Sequence, residues 1–551
     1  MIGAAAGLTA VGGGCQLIAG VEDAVPYPVD GGTSTSTGGQ GGGPATACAP
    51  GATKACYSGA LETKGVGICL AGKQTCRLDG SGYEETCAGE VTPKAESCAA
   101  AADENCDGHD CVQWAELFGD GADQRATALA VDSKGNIFIV GTFSGEIELN
   151  GVKVPAVGST DAFLLKLDSS GKMLWGKAFG DAGAQEGQAV TVDSTGSVVI
   201  GGISATPISL GEPAMQVRPA GLFVVKLSGD GKVLWSNGFG AVGCGGTKDS
   251  AIAAMAVTSG NDIVLAGRYC GSIDFGGGPI PSQMMSQDGF VALLGGGTGS
   301  AQSGSGWSKV FGDESSQRAV GVAVGGPFGA ITIVGDLEGT ASFGSPAYTI
   351  TSKGGDDMFF AKFLASGTTT GTARFGDTDD QHASAIAADT AGNIFISGLF
   401  RGDLSFGAGG VTTPSSTSNA YLVKFDSSSS YQWSKSFGGD NFYGTASDIF
   451  IDASANIVLS GLYSGSINFG AAPVVAKGTN LNIFLAKLTP TGQPLWLKSF
   501  DDGSGLLFGR MQLSPSMDPI LTGFSAGPLD LGTGVLTPQG SNDGFVARFA
   551  P

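Results

Sequence analysis

The sequence predicts an all-β protein: a seven-bladed β-propeller preceded by a small disulfide-rich module. Three observations carry that expectation. Each of the six tryptophans (Trp114, Trp175, Trp235, Trp307, Trp433, Trp496) stands four residues before a phenylalanine, and Gly371 before Phe375 fills a seventh slot. Those phenylalanines are spaced by 61, 60, 72, 64, 62 and 63 residues, a period near 60. The last copy stops at Phe545-Val-Ala-Arg-Phe549 without its tryptophan strand, and the first copy is preceded by that strand alone, Val112-Gln-Trp-Ala-Glu-Leu-Phe118. A strand missing at one end and spare at the other predicts a ring closed by pairing the two.

Composition agrees with this architecture. The 551 residues include 95 glycines, 22 prolines and 42% hydrophobic side chains. That is enough apolar surface for large cores, and it excludes collagen and a wholly disordered chain. The net charge of −21 repels phosphate backbones, so nucleic acid is not expected as a partner. Only two histidines are present, His109 and His382, which starves proton-transfer and metal-hydrolase chemistry.

Taken in order, residues 1–20 are small and apolar and read as a secretory or lipoprotein leader. Cys15 follows Gly12-Gly13-Gly14 and is the candidate lipidation site, although the usual leucine three residues before it is missing. Residues 21–47 form a polar linker with the run Thr33-Ser-Thr-Ser-Thr37, which suits a flexible tether. Eight of the eleven cysteines crowd into residues 48–111, the expected disulfide module, and imply an oxidising compartment. Spacing does not choose among the 105 pairings that eight cysteines allow. Removing Cys15 leaves an even number. Within the module, Asp103-Glu-Asn105-Cys-Asp107-Gly108 matches the first half of a calcium loop, with Asp103, Asn105 and Asp107 as candidate ligands. Trp114 stands where the bidentate glutamate belongs, so a polar turn held between disulfides is the competing reading.

Residues 112–551 carry the repeat. An apolar run closing on glycine recurs, as in Asn136-Ile-Phe-Ile-Val-Gly141 and Asn393-Ile-Phe-Ile-Ser-Gly398. An alternating stretch follows, such as Gly402-Asp-Leu-Ser-Phe406, and then a polar residue two before an aromatic, as in Asp161/Phe163 and Asp357/Phe359. Each copy thus offers about four short strands joined by turns such as Asp168-Ser-Ser-Gly171. Cys244 and Cys270 fall at the same end of one copy and are expected to form a disulfide. The blocks Trp175-Gly-Lys-Ala-Phe-Gly-Asp181 and Asp161-Ala-Phe-Leu-Leu-Lys-Leu-Asp-Ser-Ser-Gly171 resemble the bacterial SBBP-type β-propeller repeats. The resemblance covers about Val112 to Pro551. It implies a seven-bladed ring, usually secreted or surface-attached, and brings no catalytic set. The cysteine-rich part is similar to modules of bacterial surface lipoproteins that carry a metal-binding motif.

The function expected is an exported, lipid-anchored surface protein, monomeric, that binds an extracellular glycan, peptide or protein, with calcium as the candidate cofactor and the lipid as its sole membrane contact. A hydrolase or lyase working in the channel with carboxylates and a cation is the alternative, which converging inward carboxylates would favour. A purely structural adhesive spacer is the third reading. Acidic and amide residues recur after the Phe-Gly pairs (Asp120/Gln124, Asp181/Gln185, Asp313/Gln317, Asp377/Gln381) and read either as loop caps or as an acidic binding face. His382 reads as a surface loop residue.

Overall fold

The computed structural model describes residues 47–94, 96–98, 102–106, 111–209, 216–217, 221–240, 249–283, 286–302, 304–413, 418–439, 442–470, 473–476, 480–500 and 507–551. Strand accounts for 55% of the structure and helix for 2%. The leader, Cys15, Asp107, His109 and Cys244 lie outside the described residues.

Six four-stranded antiparallel sheets follow in chain order. Blade 1 comprises Gln124–Val131, Ile137–Phe143, Asp161–Leu167 and Met173–Phe179, and blades 2 to 6 repeat this plan. The seventh sheet joins Leu507–Leu513, Pro519–Ser525 and Asp543–Phe549 to Val112–Phe118 from the start of the repeat region. The closing pair is antiparallel, with Ala115 opposite Ala547 and Leu117 opposite Phe545. Each innermost strand packs on the preceding blade, and that of blade 1 packs on blade 7, so the ring is closed. Full closure leaves no long strand edge exposed along the circle.

The repeated landmarks have physical causes. A glycine two residues before the end of the second strand lies opposite the aromatic of the third: Gly141 with Phe163, Gly267 with Phe290, Gly398 with Tyr421, Gly523 with Phe545. A Cβ on Gly141 would come 2.7 Å from the Phe163 ring, so the ring lies flat over the bare backbone. The tryptophan of one blade rests on the turn before the fourth strand of the next. Trp307 donates its indole N–H to the Ala365 carbonyl at 2.9 Å, and a Cβ on Gly367 would fall 2.7 Å from its ring. Trp114 meets Gly171, and Trp235 meets Gly299, in the same way. Lysines of the third strands tie the same junctions: Lys166 donates to the Gly229 carbonyl and Lys226 to that of Gly296, both at 2.8 Å.

In most blades the alternating stretch is separate from the main sheet, although in blade 3 it joins the outer strand of blade 2 through Ile273 opposite Gly240. It forms a small hairpin between strands two and three, such as Asp403–Ser405 with Gly410–Thr412, whose inward Leu404 plugs the gap between blades. Pieces of two to four residues are too short for a period-2 pattern to reveal them.

Among the described residues the chain divides into two compact units. In the smaller, Met1–Lys54 with Gln74–Thr86, Cys48 pairs with Cys76 and the Lys54 ammonium lies 4.4 Å from the centre of the Tyr83 ring. The larger, Ala55–Lys73 with Cys87–Pro551, holds the propeller and the disulfides Cys56–Cys87, Cys69–Cys106 and Cys98–Cys111. Cys98 and Cys111 are buried in one cluster with Trp496, Phe549 and Ala550. The Ala550 N–H donates to the Cys111 carbonyl at 2.7 Å. The last blade has no turn between its third and fourth strands, and this disulfide stands at the break.

Candidate functional site

The loops that cross from the outer strand of one blade to the inner strand of the next are closed by a repeated latch. The Asp oxygen accepts from the Gln side-chain amide in Asp120–Gln124 (2.6 Å), Asp181–Gln185 (2.8 Å), Asp313–Gln317 (2.7 Å) and Asp377–Gln381 (2.7 Å). The same carboxylates also accept backbone N–H groups, from Ala122, Gly183, Ser315 and Asp379. These residues therefore cap loops. Their bonds satisfy the face that the sequence left open as a possible acidic surface.

The residue after each latch glutamine is ionisable: Arg125, Glu186, Arg318 and His382. Each is the second residue of an innermost strand, at the mouth of the central channel. His382 is accordingly not a loop residue. It lies in the strand Gln381–Ala388, because the latch starts that strand at Gln381, and it is half-buried. Between blades 4 and 5 it meets two carboxylates, with its Nδ1 3.4 Å from Asp336 Oδ2 and 3.6 Å from Asp356 Oδ2. Asp336 is buried in a second strand where the other copies carry Thr142, Ile203, Arg268, Leu399, Leu462 or Phe524. Its Oδ2 accepts from Arg318 Nε at 2.9 Å and Nη2 at 2.7 Å, and its Oδ1 accepts the Ala383 N–H at 2.8 Å.

Among the described residues Asp336, Asp356 and His382 are the one carboxylate–imidazole group whose donor atoms all fall within 4.8 Å of one another. Such a trio has the ligand types for a divalent ion. Here Asp336 Oδ2 is already spent on two guanidinium N–H groups, so an ion would have to displace Arg318. Charge balance favours a proton instead. Two carboxylates and one guanidinium sum to −1, and an imidazolium brings the group to zero. Consistently, the Asp336 carboxylate holds the His382 imidazole above its ordinary value, with burial opposing and Asp356 adding. Burial, and then the Asp336 charge, push the Asp356 carboxyl up. Arg268 of blade 3 adds a second guanidinium nearby. Burial lowers its pKa, the Arg318 charge lowers it further, and Asp249 opposes.

A pH dependence follows. A raised histidine pKa stabilises the fold below the unfolded value near 6.5, and that stability is lost as pH rises through the higher folded value. The melting-temperature difference between wild type and His382→Gln is therefore expected to be largest below pH 6.5 and to shrink above it. The span should be at most about 1 kcal/mol, as for partly exposed ion pairs. A difference that stays constant from pH 5.5 to 9 would mean that the imidazolium does not form.

Asp103 and Asn105 fall beside Cys106, where the Cys69–Cys106 disulfide pins the turn. The Ile68 N–H donates to the Asp103 carbonyl at 3.2 Å, and the Asn105 N–H to Glu96 at 3.1 Å. Cys270 is buried and disulfide-bonded. The sequence signal for the mouth was available in the ionisable residue after each latch glutamine. It was hidden because the charges differ from copy to copy.

No family model matches the chain, and no curated protein matches it. Solved structures that it resembles include YCF48 bound to a D1 peptide, at 9% identity and TM-score 0.38 over 80% of this chain and 97% of that one. The polysaccharide lyase Uly1 is 10% identical with TM-score 0.38, over 85% and 94% of the two chains. XC5397 from Xanthomonas campestris, a gluconolactonase, is 10% identical with TM-score 0.27, over 80% and 100%. At these identities and scores none of them informs the function.

Proposed function

We propose that this is an exported surface protein of the SBBP-repeat type, lipid-anchored through Cys15, that binds an extracellular glycan, peptide or protein at the propeller mouth. The observation that carries the reading is the convergence of Arg318, Asp336, Asp356 and His382 between blades 4 and 5. A site with donors and acceptors side by side suits hydroxyl-rich or amide-rich ligands. The four disulfides support an oxidising compartment. Calcium at Asp103, Asn105 and Asp107 belongs to the same proposal, as a local brace for the module. No helix among the described residues is long and apolar enough to cross a membrane.

The test is a glycan and peptide array probed with the full chain, with and without chelator. Binding that falls at least tenfold in Arg318→Gln and His382→Gln, but not in a variant of the opposite face such as Asp230→Asn, supports the reading. Binding unchanged by both mouth variants removes it. The same convergence of inward carboxylates on an imidazole favours a second reading, a hydrolase or lyase in which Asp336 orients His382 for proton transfer. Its test is the appearance of new chain ends in incubated polysaccharides and their loss in His382→Ala.

A further inference from the structure

Below the mouth, all seven innermost strands carry a β-bulge at the same level. The register shifts fall between Ala126 and Ala128, Gly187 and Ala189, Ile252 and Ala254, and at the corresponding pairs of blades 4 to 7. Bulges re-aim side chains, and here they set a ring of seven positions around the bore. Five are minimal: Ala128, Ala189, Ala254, Gly321 and Ala385. The other two are Asp448 and Arg510. The small ring leaves a cavity of about 380 Å³ lined by all seven of them.

Arg510 of blade 7 reaches across this space. Its Nη2 donates to the Ala253 carbonyl of blade 3 at 3.4 Å, and its Nη1 to the Ser447 carbonyl and to Asp448 Oδ1 of blade 6, both at 3.3 Å. All three contacts are long for a guanidinium, whose charge-assisted bonds normally run 2.7–2.9 Å. The other Asp448 oxygen, Oδ2, accepts the Met511 N–H at 2.7 Å. Burial pushes its carboxyl up, with Arg510 opposing. The bore therefore holds a guanidinium paired at 3.3 Å with one oxygen of Asp448 and otherwise stretched between long carbonyl contacts, in a chamber of the size that takes a small ligand.

We propose that the bore is a binding site for a small carboxylate, with the Arg510 guanidinium as its anchor and the alanine ring as its size limit. This rests on the reading of the propeller as a ligand-binding scaffold and places a second contact deeper than the mouth. A planar carboxylate takes two parallel N–H bonds from the guanidinium, which its present partners, two carbonyls and a single oxygen of Asp448, do not supply. The carboxylate has three natural sources, and the test separates them: a free acid (succinate), a uronate (galacturonate) and a peptide terminus (Ala-Ala).

Calorimetry and thermal shift on the full chain, with each probe at 10 mM and galactose and Ala-Ala-amide as neutral counterparts, decide it. The expected result is binding of at least one carboxylate, none of its neutral counterpart, and a Kd at least tenfold weaker in Arg510→Gln. Ala385→Leu, which fills the chamber and leaves Arg510 in place, should abolish binding and covers the case that Arg510→Gln misfolds. Absence of heat and shift with all three acids overturns the proposal, as does equal binding of the neutral counterparts or binding that survives both variants. The mouth reading fails separately, through array binding that ignores Arg318→Gln and His382→Gln.

Discussion

Replacing Cys98 and Cys111 together by serine is expected to lower the unfolding free energy by about 3 kcal/mol and to open the ring at a single place. The magnitude comes from closing a short loop, here 13 residues apart in sequence, in the unfolded chain. The location comes from the seam. The pairing of Val112–Phe118 with Asp543–Phe549 joins the two ends of the repeat region, and it has no covalent turn of its own. In the other six blades the chain itself ties the corresponding strands, by a short turn in five and by residues 295–306 in blade 3. In this one, Cys111 directly precedes the closing strand and its carbonyl accepts from the penultimate residue, Ala550. Hydrogen exchange should therefore rise first in Val112–Phe118 and Asp543–Phe549, ahead of blades 2 to 5. A loss of protection spread evenly over all seven sheets would show that the disulfide does not guard the seam.

The second large effect is expected at a glycine. Gly367 has φ near 80°, and a Cβ there would lie 2.7 Å from the Trp307 ring. Gly367→Ala combines a left-handed backbone that costs an alanine about 1–2 kcal/mol with overpacking of about 1–3 kcal/mol, so a loss of roughly 2–5 kcal/mol is expected in chemical denaturation. The chain contains its own control. In blade 4 the tryptophan is replaced by Gly371, and in the turn that follows in blade 5 the glycine is replaced by Ser429, with φ near 67°. Where the indole is absent, the facing turn tolerates a side chain. Ser429→Gly should thus be neutral or stabilising by up to about 1 kcal/mol, since it only relieves the backbone. If Gly367→Ala were as mild as Ser429→Gly, the tryptophan would not be resting on that turn.

These contacts explain what could be read in the sequence and what could not. The period, the strand count and the ring closure were legible because each depends on a feature that recurs from copy to copy: aromatic over glycine in all seven blades, and tryptophan on glycine and aspartate latching glutamine in most or several of them. The small hairpins were visible as a motif, but their two-residue strands are below the length at which alternation is informative. Disulfide pairing was not legible, because many pairings fit the same spacings. The mouth cluster was missed for the opposite reason to the fold. His382 and Asp336 at the mouth, like Arg510 in the bore, each occur once, at positions where the other copies carry something else, and a reading that seeks recurrence discards single departures. His382 looked like a loop residue because its blade's inner strand starts two residues earlier than its apolar pattern does.

The contact of a tryptophan with the turn of the next blade, made at five of the seven junctions, is directional, like the head-to-tail grip between subunits of a cyclic homo-oligomer. A true seven-subunit ring would have to repeat any substitution around its whole axis. Seven histidines would crowd the entrance, and seven arginines would choke the bore. Tandem fusion into one polypeptide lifts that symmetry requirement. A single unit can then change alone, and the molecule can combine a pseudo-symmetric scaffold with an asymmetric interior.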